Sequence, residues 1–320
     1  MPWAELLQSS PILLWLLLLL AAWLPLPASY HPLTFYRFFA QRLAYKVNPD
    51  PTRPVNQLRL SGGLALLLAT LPFLALLYTA NWLMDWPELY QLLLLYLCLD
   101  FAPLRQRAQR LQQALAGQQL SLARDLASQL LLRQTHSLSA MGLSKAGIES
   151  LWLQFARIWL TTLFWYLLAG IWLALAVRLI LLLQQSWNPK LSHNRHFGAP
   201  VALLASWLCW PGYVLCFVLV CIRLRCRASY RLLRQAPRQY FNWAQSACLS
   251  AACASLRCRL GGPAIYEGSI KTNRDRLGLE YAEPDHRHLQ QALKAQQQLL
   301  QLVLLLSGLA ALGWVLLNFL

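Results

Sequence analysis

Acidic residues are scarce. The 320-residue chain carries 12 Asp and Glu against 28 Lys and Arg, and charged residues make up only 12% of it. Ordinary soluble domains hold about twice that share, so this chain cannot clothe a water-facing globular surface. Several motifs are missing as well. There is no Walker loop, no G-x-S-x-G elbow, no H-E-x-x-H and no paired-carboxylate motif, which removes the familiar signatures of P-loop nucleotide chemistry, serine hydrolysis and zinc proteolysis. The eight cysteines include no C-x-x-C pair, so neither a redox framework nor a metal framework is predicted. They read as small apolar filler. No Lys or Arg precedes the first apolar block, and Glu5 stands there instead, which is the wrong start for a cleaved signal peptide. No basic face interleaved with aromatics stands on a soluble domain, so nucleic acid is excluded as a partner.

What fills the chain is hydrophobic residues, 58% of the total. They come in blocks at about 11–28, 60–80, 89–103, 158–183, 199–222 and 299–320, each near the roughly 20 residues that a bilayer-crossing helix needs. The prediction is an all-α integral membrane protein of about six transmembrane helices, a single domain over 1–320. The segments between the blocks are unequal. Those at 29–59, 104–157 and 223–298 together hold 25 Lys and Arg, whereas 184–198 holds two and 81–88 none. By the positive-inside rule the three basic segments are cytoplasmic and both termini lie outside, in the periplasm of a bacterial inner membrane. Partners expected from this balance are the lipid bilayer, with its anionic headgroups, and small phosphorylated molecules.

Within the basic segments, Phe35, Tyr36, Phe38 and Phe39 alternate with Arg37 and Arg42, the pattern of a helix at the membrane interface. Leu104, Ala108, Leu111 and Leu115 are spaced as on one helical face, and Leu122, Leu126 and Leu130 resume beyond Gly117, predicting a helical hairpin. A Gln-rich helix from Arg287 feeds the last block. The stretch of most interest is Arg257–Gly268. Gly261 and Gly262 open backbone conformations closed to other residues, and Pro263 fixes the exit. Arg257 and Arg259 lead in, while Tyr266, Glu267 and Gly268 follow. Bare backbone with cations at hand suits a phosphate, although a helix stop followed by a turn needs the same residues. Arg178 stands inside the fourth block near its outer end, where its side chain either snorkels to the surface or serves a buried site.

Several of these residues occur in a recognisable order. His31-Pro32 follows the first helix; then come Leu115-Ala-Gly-Gln-Gln-Leu, Ala123-Arg124, Arg133-Gln134-Thr135, Ile148-Glu149-Ser150-Leu151, Leu163-Phe164-Trp165-Tyr166, Arg178, Phe197-Gly198, Asn242-Trp243 and Leu260-Gly-Gly-Pro-Ala-Ile-Tyr-Glu-Gly268. Over roughly 20–280 the chain resembles the CbiB/CobD family of cobalamin-biosynthesis membrane proteins. The resemblance implies an ATP-dependent amide bond joining aminopropanol, or its phosphate, to adenosylcobyric acid, giving adenosylcobinamide or its phosphate. It implies ATP, magnesium and a corrinoid as cofactors and substrate. It also implies Glu149 as the catalytic residue, with His31, Arg133, Thr135, Arg178, Asn242, Arg257, Arg259, Gly261, Gly262, Pro263, Tyr266 and Gly268 binding substrate and no resident metal ligand assigned.

Three departures weaken that implication. The acidic run that the family carries after Glu-Ser-Leu is here Trp152–Ile158. Its run after the matching Arg178 is apolar through Leu183, and its charged run further on is Ala205–Tyr213, with no charge at all. Magnesium on phosphates takes hard oxygen ligands, and of the acids in the matched region little beyond Glu149 remains. This pattern is similar to AmpE, a related membrane signalling modulator. The sequence therefore predicts weak or absent ligase activity on a CbiB/CobD frame, with a non-catalytic AmpE-like modulator as the alternative.

Overall fold

The computed structural model describes residues 11–24, 26, 31–131, 134–235, 243–266, 270–272 and 276–319; at 224–226, 264–266, 270–272, 318 and 319 it describes the backbone alone. Among the described residues each apolar block is mainly helical. In chain order the helices are α1 (Pro11–Trp23), α2 (Pro32–Val47), α3 (Val55–Trp82), α4 (Pro87–Cys98), α5 (Ala102–Ala116), α6 (Leu120–Ser128), α7 (Ala140–Phe155), α8 (Thr161–Ser186), α9 (Ala199–Leu208), α10 (Trp210–Val220), α11 (Cys226–Gln235), α12 (Trp243–Leu256) and α13 (His286–Phe319). One π-helical turn, Ala156–Leu160, joins α7 to α8, and another, Cys221–Arg225, joins α10 to α11. Four helical runs are long and apolar enough to cross a membrane, at Val55–Trp82, Ala140–Ser186, Ala199–Arg223 and His286–Leu317. Leu60, Leu64, Leu68, Leu71 and Leu76 of α3 are exposed, as a lipid-facing surface requires. The chain is an all-α membrane protein.

Local chemistry sets the helix starts. His31 caps α2 by accepting from the Leu33 amide through Nδ1, with Pro32 at the first helical position. Ser139 caps α7 through the Gly142 amide, and Asp285 Oδ1 accepts from His288 N at 2.9 Å ahead of α13. Residues of these types satisfy amides that have no intrahelical partner. The hairpin of α5 and α6 forms where the leucine spacing places it.

The expected alternation of sides fails at the fourth block. Ala169 (φ −143°, ψ 18°) and Gly170 (φ 76°, ψ −170°) leave the helical conformation inside α8. Gly170 adopts a left-handed φ that other residues avoid. The chain turns there, and Arg157 Nη2 donates to Gln184 Oε1 at 2.6 Å across 27 residues. A straight helix would hold those residues about 40 Å apart. The two flanks of this block therefore lie on one side.

The same conclusion follows from segment 184–198, which was expected outside. Asn48 Nδ2 donates to the His193 carbonyl at 2.9 Å, and Trp187 Nε1 donates to the Ala40 carbonyl at 2.8 Å. A Cβ on Gly62 would sit 2.0 Å from the Phe197 carbonyl. Segment 184–198 thus packs on segment 29–59. Further contacts tie His31 to Asp100 and Gly261 to Glu149. All four interhelical segments that carry Lys and Arg are joined in this way, and Lys190 and Arg195 move to the majority.

Candidate functional site: a glycine loop on buried Glu149

Helix α12 is almost entirely buried and built of small residues. It ends at Leu256, and Arg257 turns the chain with a positive φ of 51°. The chain then forms β1 (Leu260–Gly261), which pairs antiparallel with β4 (Arg276–Leu277); β2 (Ala264–Tyr266) pairs with β3 (Ile270–Thr272). Gly261 (φ 79°) and Gly262 (φ 92°) are consecutive left-handed residues.

That loop is seated on α7. Glu149 is 1% exposed, and its Oε1 accepts a buried hydrogen bond from Gly261 N at 2.7 Å. The carboxylate thus holds the glycine turn in register. One helical turn earlier stands Lys145, whose Nζ lies 3.4 Å from where a Cβ on Gly262 would be; Arg276 Cγ and Nε lie 3.7 and 3.9 Å from the same point. Two cations therefore flank bare backbone. Sequence reasoning missed both, although the i, i+4 spacing of Lys145 and Glu149 was available. Arg259 is turned away into an exposed ion pair with Glu283 at 3.0 Å.

Other residues predicted for the site lie apart from this loop or outside the described residues. Arg133, Asn242 and Gly268 fall outside them, and only the backbone of Tyr266 is described. Thr135 is buried in the turn before α7. His31 and Arg178 form a separate cluster with Asp100: His31 Nε2 is 3.8 Å from Asp100 Oδ2, and Arg178 Nη2 reaches the Asp100 carbonyl at 3.5 Å. Arg178 does not snorkel to an outer surface. The break at Gly170 turns it inward, where it is fully buried.

The three sequence segments without acids meet in space. Arg157, from the first, is bonded to Gln184, one residue beyond the second, and is near enough to the Cys209 thiol of the third to interact with it. Tyr213 acts on the same guanidinium, and Gly212 packs so closely that a Cβ would meet Thr161 Oγ1 at 2.1 Å and the Ala156 carbonyl at 2.6 Å. The π turn at 156–160 lies at this crossing; such turns recur at functional sites. Its donors are neutral or cationic. Among the described residues no group of three His, Cys, Asp or Glu side chains could hold a metal ion. Magnesium prefers carboxylate and phosphate oxygens, so these residues do not fit a resident magnesium ion.

Fold and site together define an all-α membrane protein whose basic segments pack on one another and seat a cationic glycine loop among them. The family model described as CobD/Cbib protein matches residues 14–296, and the chain belongs to that family. It is similar to a protein of Chromobacterium violaceum named cobalamin biosynthesis protein CobD, 29% identical over 294 residues, covering 90% of this chain and 92% of that relative. A protein of the same name from Stutzerimonas stutzeri is 30% identical over 276 residues, covering 86% and 89%. No solved structure matches.

Proposed function

We propose that this protein serves cobalamin biosynthesis from the cytoplasmic face of a bacterial inner membrane, binding a corrinoid or phosphorylated aminopropanol substrate at the Gly261–Gly262 loop. The observation that carries the reading is the loop itself: left-handed glycine backbone held by Glu149 and flanked by Lys145 and Arg276. Glycine backbone beside two cations suits phosphate or carboxylate oxygens, which an aminopropanol phosphate and the corrinoid carboxyl carry. Glu149 is a positioning residue in this reading, because its oxygen is spent on Gly261. The predominance of Lys and Arg on this side supports its being cytoplasmic.

The acid-poor crossing at Arg157 favours a second reading, a non-catalytic sensor on the same frame. An arginine held by Gln184 supplies no oxygen ligand for magnesium. Complementation of a strain lacking its cobinamide synthase, grown on adenosylcobyric acid and aminopropanol, separates the two. Slow growth that is lost with Glu149→Ala supports an enzyme of low activity. Absence of rescue at normal membrane levels, with corrinoid binding retained, supports the sensor. Absence of both rescue and binding overturns the corrinoid reading.

A further inference from the structure

Helix α2 has two unlike faces. Tyr36, Ala40 and Ala44 are buried on one of them. Phe35, Phe38, Arg42, Tyr45 and Lys46 share the opposite one and are exposed there, Tyr45 to 80%. Aromatic rings left uncovered between an arginine and a lysine are what a helix presents to the headgroup layer of a bilayer.

That exposed face forms one wall of a groove of about 610 Å³, within the roughly 300–1,000 Å³ of small-ligand sites. His193 and Asn194 stand on the other wall. The walls are fixed to each other, because Asn48 Nδ2 donates to the His193 carbonyl at 2.9 Å and Trp187 Nε1 donates to the Ala40 carbonyl at 2.8 Å. Arg42 and Lys46 line the groove, and among the described residues its lining holds no Asp or Glu. The Arg42 guanidinium lies over the Phe38 ring, 5.0 Å from its centroid. Stacking of this kind uses the face of a guanidinium and leaves its edge donors for phosphate oxygens. Gln41 and Ser186 add neutral hydrogen-bonding groups. The apolar runs Val55–Trp82 and Ala199–Arg223 begin shortly after the two walls, so the groove lies beside the ends of helices that have the length and apolarity to cross a membrane.

We propose that the groove between α2 and residues 186–194 binds the headgroup of an anionic phospholipid, with its phosphate on Arg42 and Lys46. Phosphate offers several acceptor oxygens to these two donors, and the neutral groups suit headgroup hydroxyls. A membrane source is favoured over a soluble one by the rings. A soluble phosphate ester would engage the cations and leave Phe35 and Tyr45 uncovered, whereas a lipid brings apolar chains beside them. The groove is separate from the Gly261–Gly262 loop, and its occupancy does not depend on what that loop binds.

The test uses the full-length protein in phosphatidylcholine nanodiscs, with the melting temperature followed as phosphatidylglycerol is titrated into the bilayer. Arg42→Gln and Lys46→Gln are two independent variants at exposed positions, and Arg53→Gln, exposed in the same segment but outside the groove, is the control for bulk charge. Saturable stabilisation is expected, with the half-point shifted about tenfold or more upward in each groove variant, the loss of one charge-assisted hydrogen bond, and unmoved in Arg53→Gln. Arg42→Lys, which keeps the charge but not the planar fork, should fall between wild type and Arg42→Gln. No stabilisation, or an equal shift in all three Gln variants, overturns the proposal. Equal stabilisation by soluble glycerol phosphate in pure phosphatidylcholine also overturns it, by assigning the groove to a soluble ligand.

Discussion

Replacing Glu149 with alanine tests the arrangement on which the loop depends. The carboxylate is 1% exposed and takes a buried 2.7 Å bond from Gly261 N. Hydrogen bonds to charged acceptors contribute about 1.5–3 kcal/mol, and an orphaned buried amide costs about 1–3 kcal/mol. These describe one event from two sides and are not added, so Glu149→Ala should destabilise by about 2–3 kcal/mol. Glu149→Gln keeps an acceptor oxygen in nearly the same place and gives up only the charge, for about 1 kcal/mol. Thermal unfolding in detergent, followed by intrinsic tryptophan fluorescence, reads the order wild type, Gln, Ala. Limited proteolysis gives a local readout, with cleavage within 257–278 rising for Ala before global unfolding. If Glu149→Ala melts with the wild type and resists protease equally, the carboxylate does not hold the loop and the reasoning fails.

Three further outcomes are expected. A cysteine at Lys190 or Arg195, on an otherwise cysteine-free background, should be labelled by impermeant maleimide from the same side as one at Gly117, and labelling from the opposite side would restore a straight fourth crossing. Gly212→Ala should destabilise by more than about 2 kcal/mol, because its Cβ meets the Ala156 carbonyl at 2.6 Å and backbone cannot step aside; thermal unfolding at or above wild type would contradict the close crossing. The depressed His31 pKa makes stability greatest above about pH 6.5, with loss as pH falls further, since the unfolded chain then takes up a proton that the folded one resists. His31→Gln should flatten the melting profile between about pH 7.5 and 5.5, and an unchanged slope would count against the buried imidazole.

Much of the fold was legible because apolar block length and helical period are local properties. The hairpin at Gly117 and the glycine turn at 261–262 both follow from residues within a few positions of each other. The side assignment of 184–198 was not legible. Its reversal depends on Gly170, a single glycine within an apolar run that has the composition of an uninterrupted crossing helix. The site was legible in part. Glu149 and the glycine loop were paired by the order of motifs, whereas Arg276 enters only through its strand register opposite Gly261. Arg178 was placed near the wrong surface because its depth was counted along a helix that turns.

The one-sided arrangement of the basic segments bears on how this chain enters a membrane during synthesis. A cation resists the middle of the apolar layer by about 3 kcal/mol on insertion scales. With 184–198 drawn back beside 29–59, insertion need not carry Lys190 or Arg195 through that layer. The polar link that does lie at the far end of α3 is 81–88, which contributes Asp85 and Glu88 and no cation. The break at Gly170 thus spares the insertion machinery its most expensive cargo, and a substitution that straightened α8 would be felt first as poor membrane integration, before any effect on ligand binding.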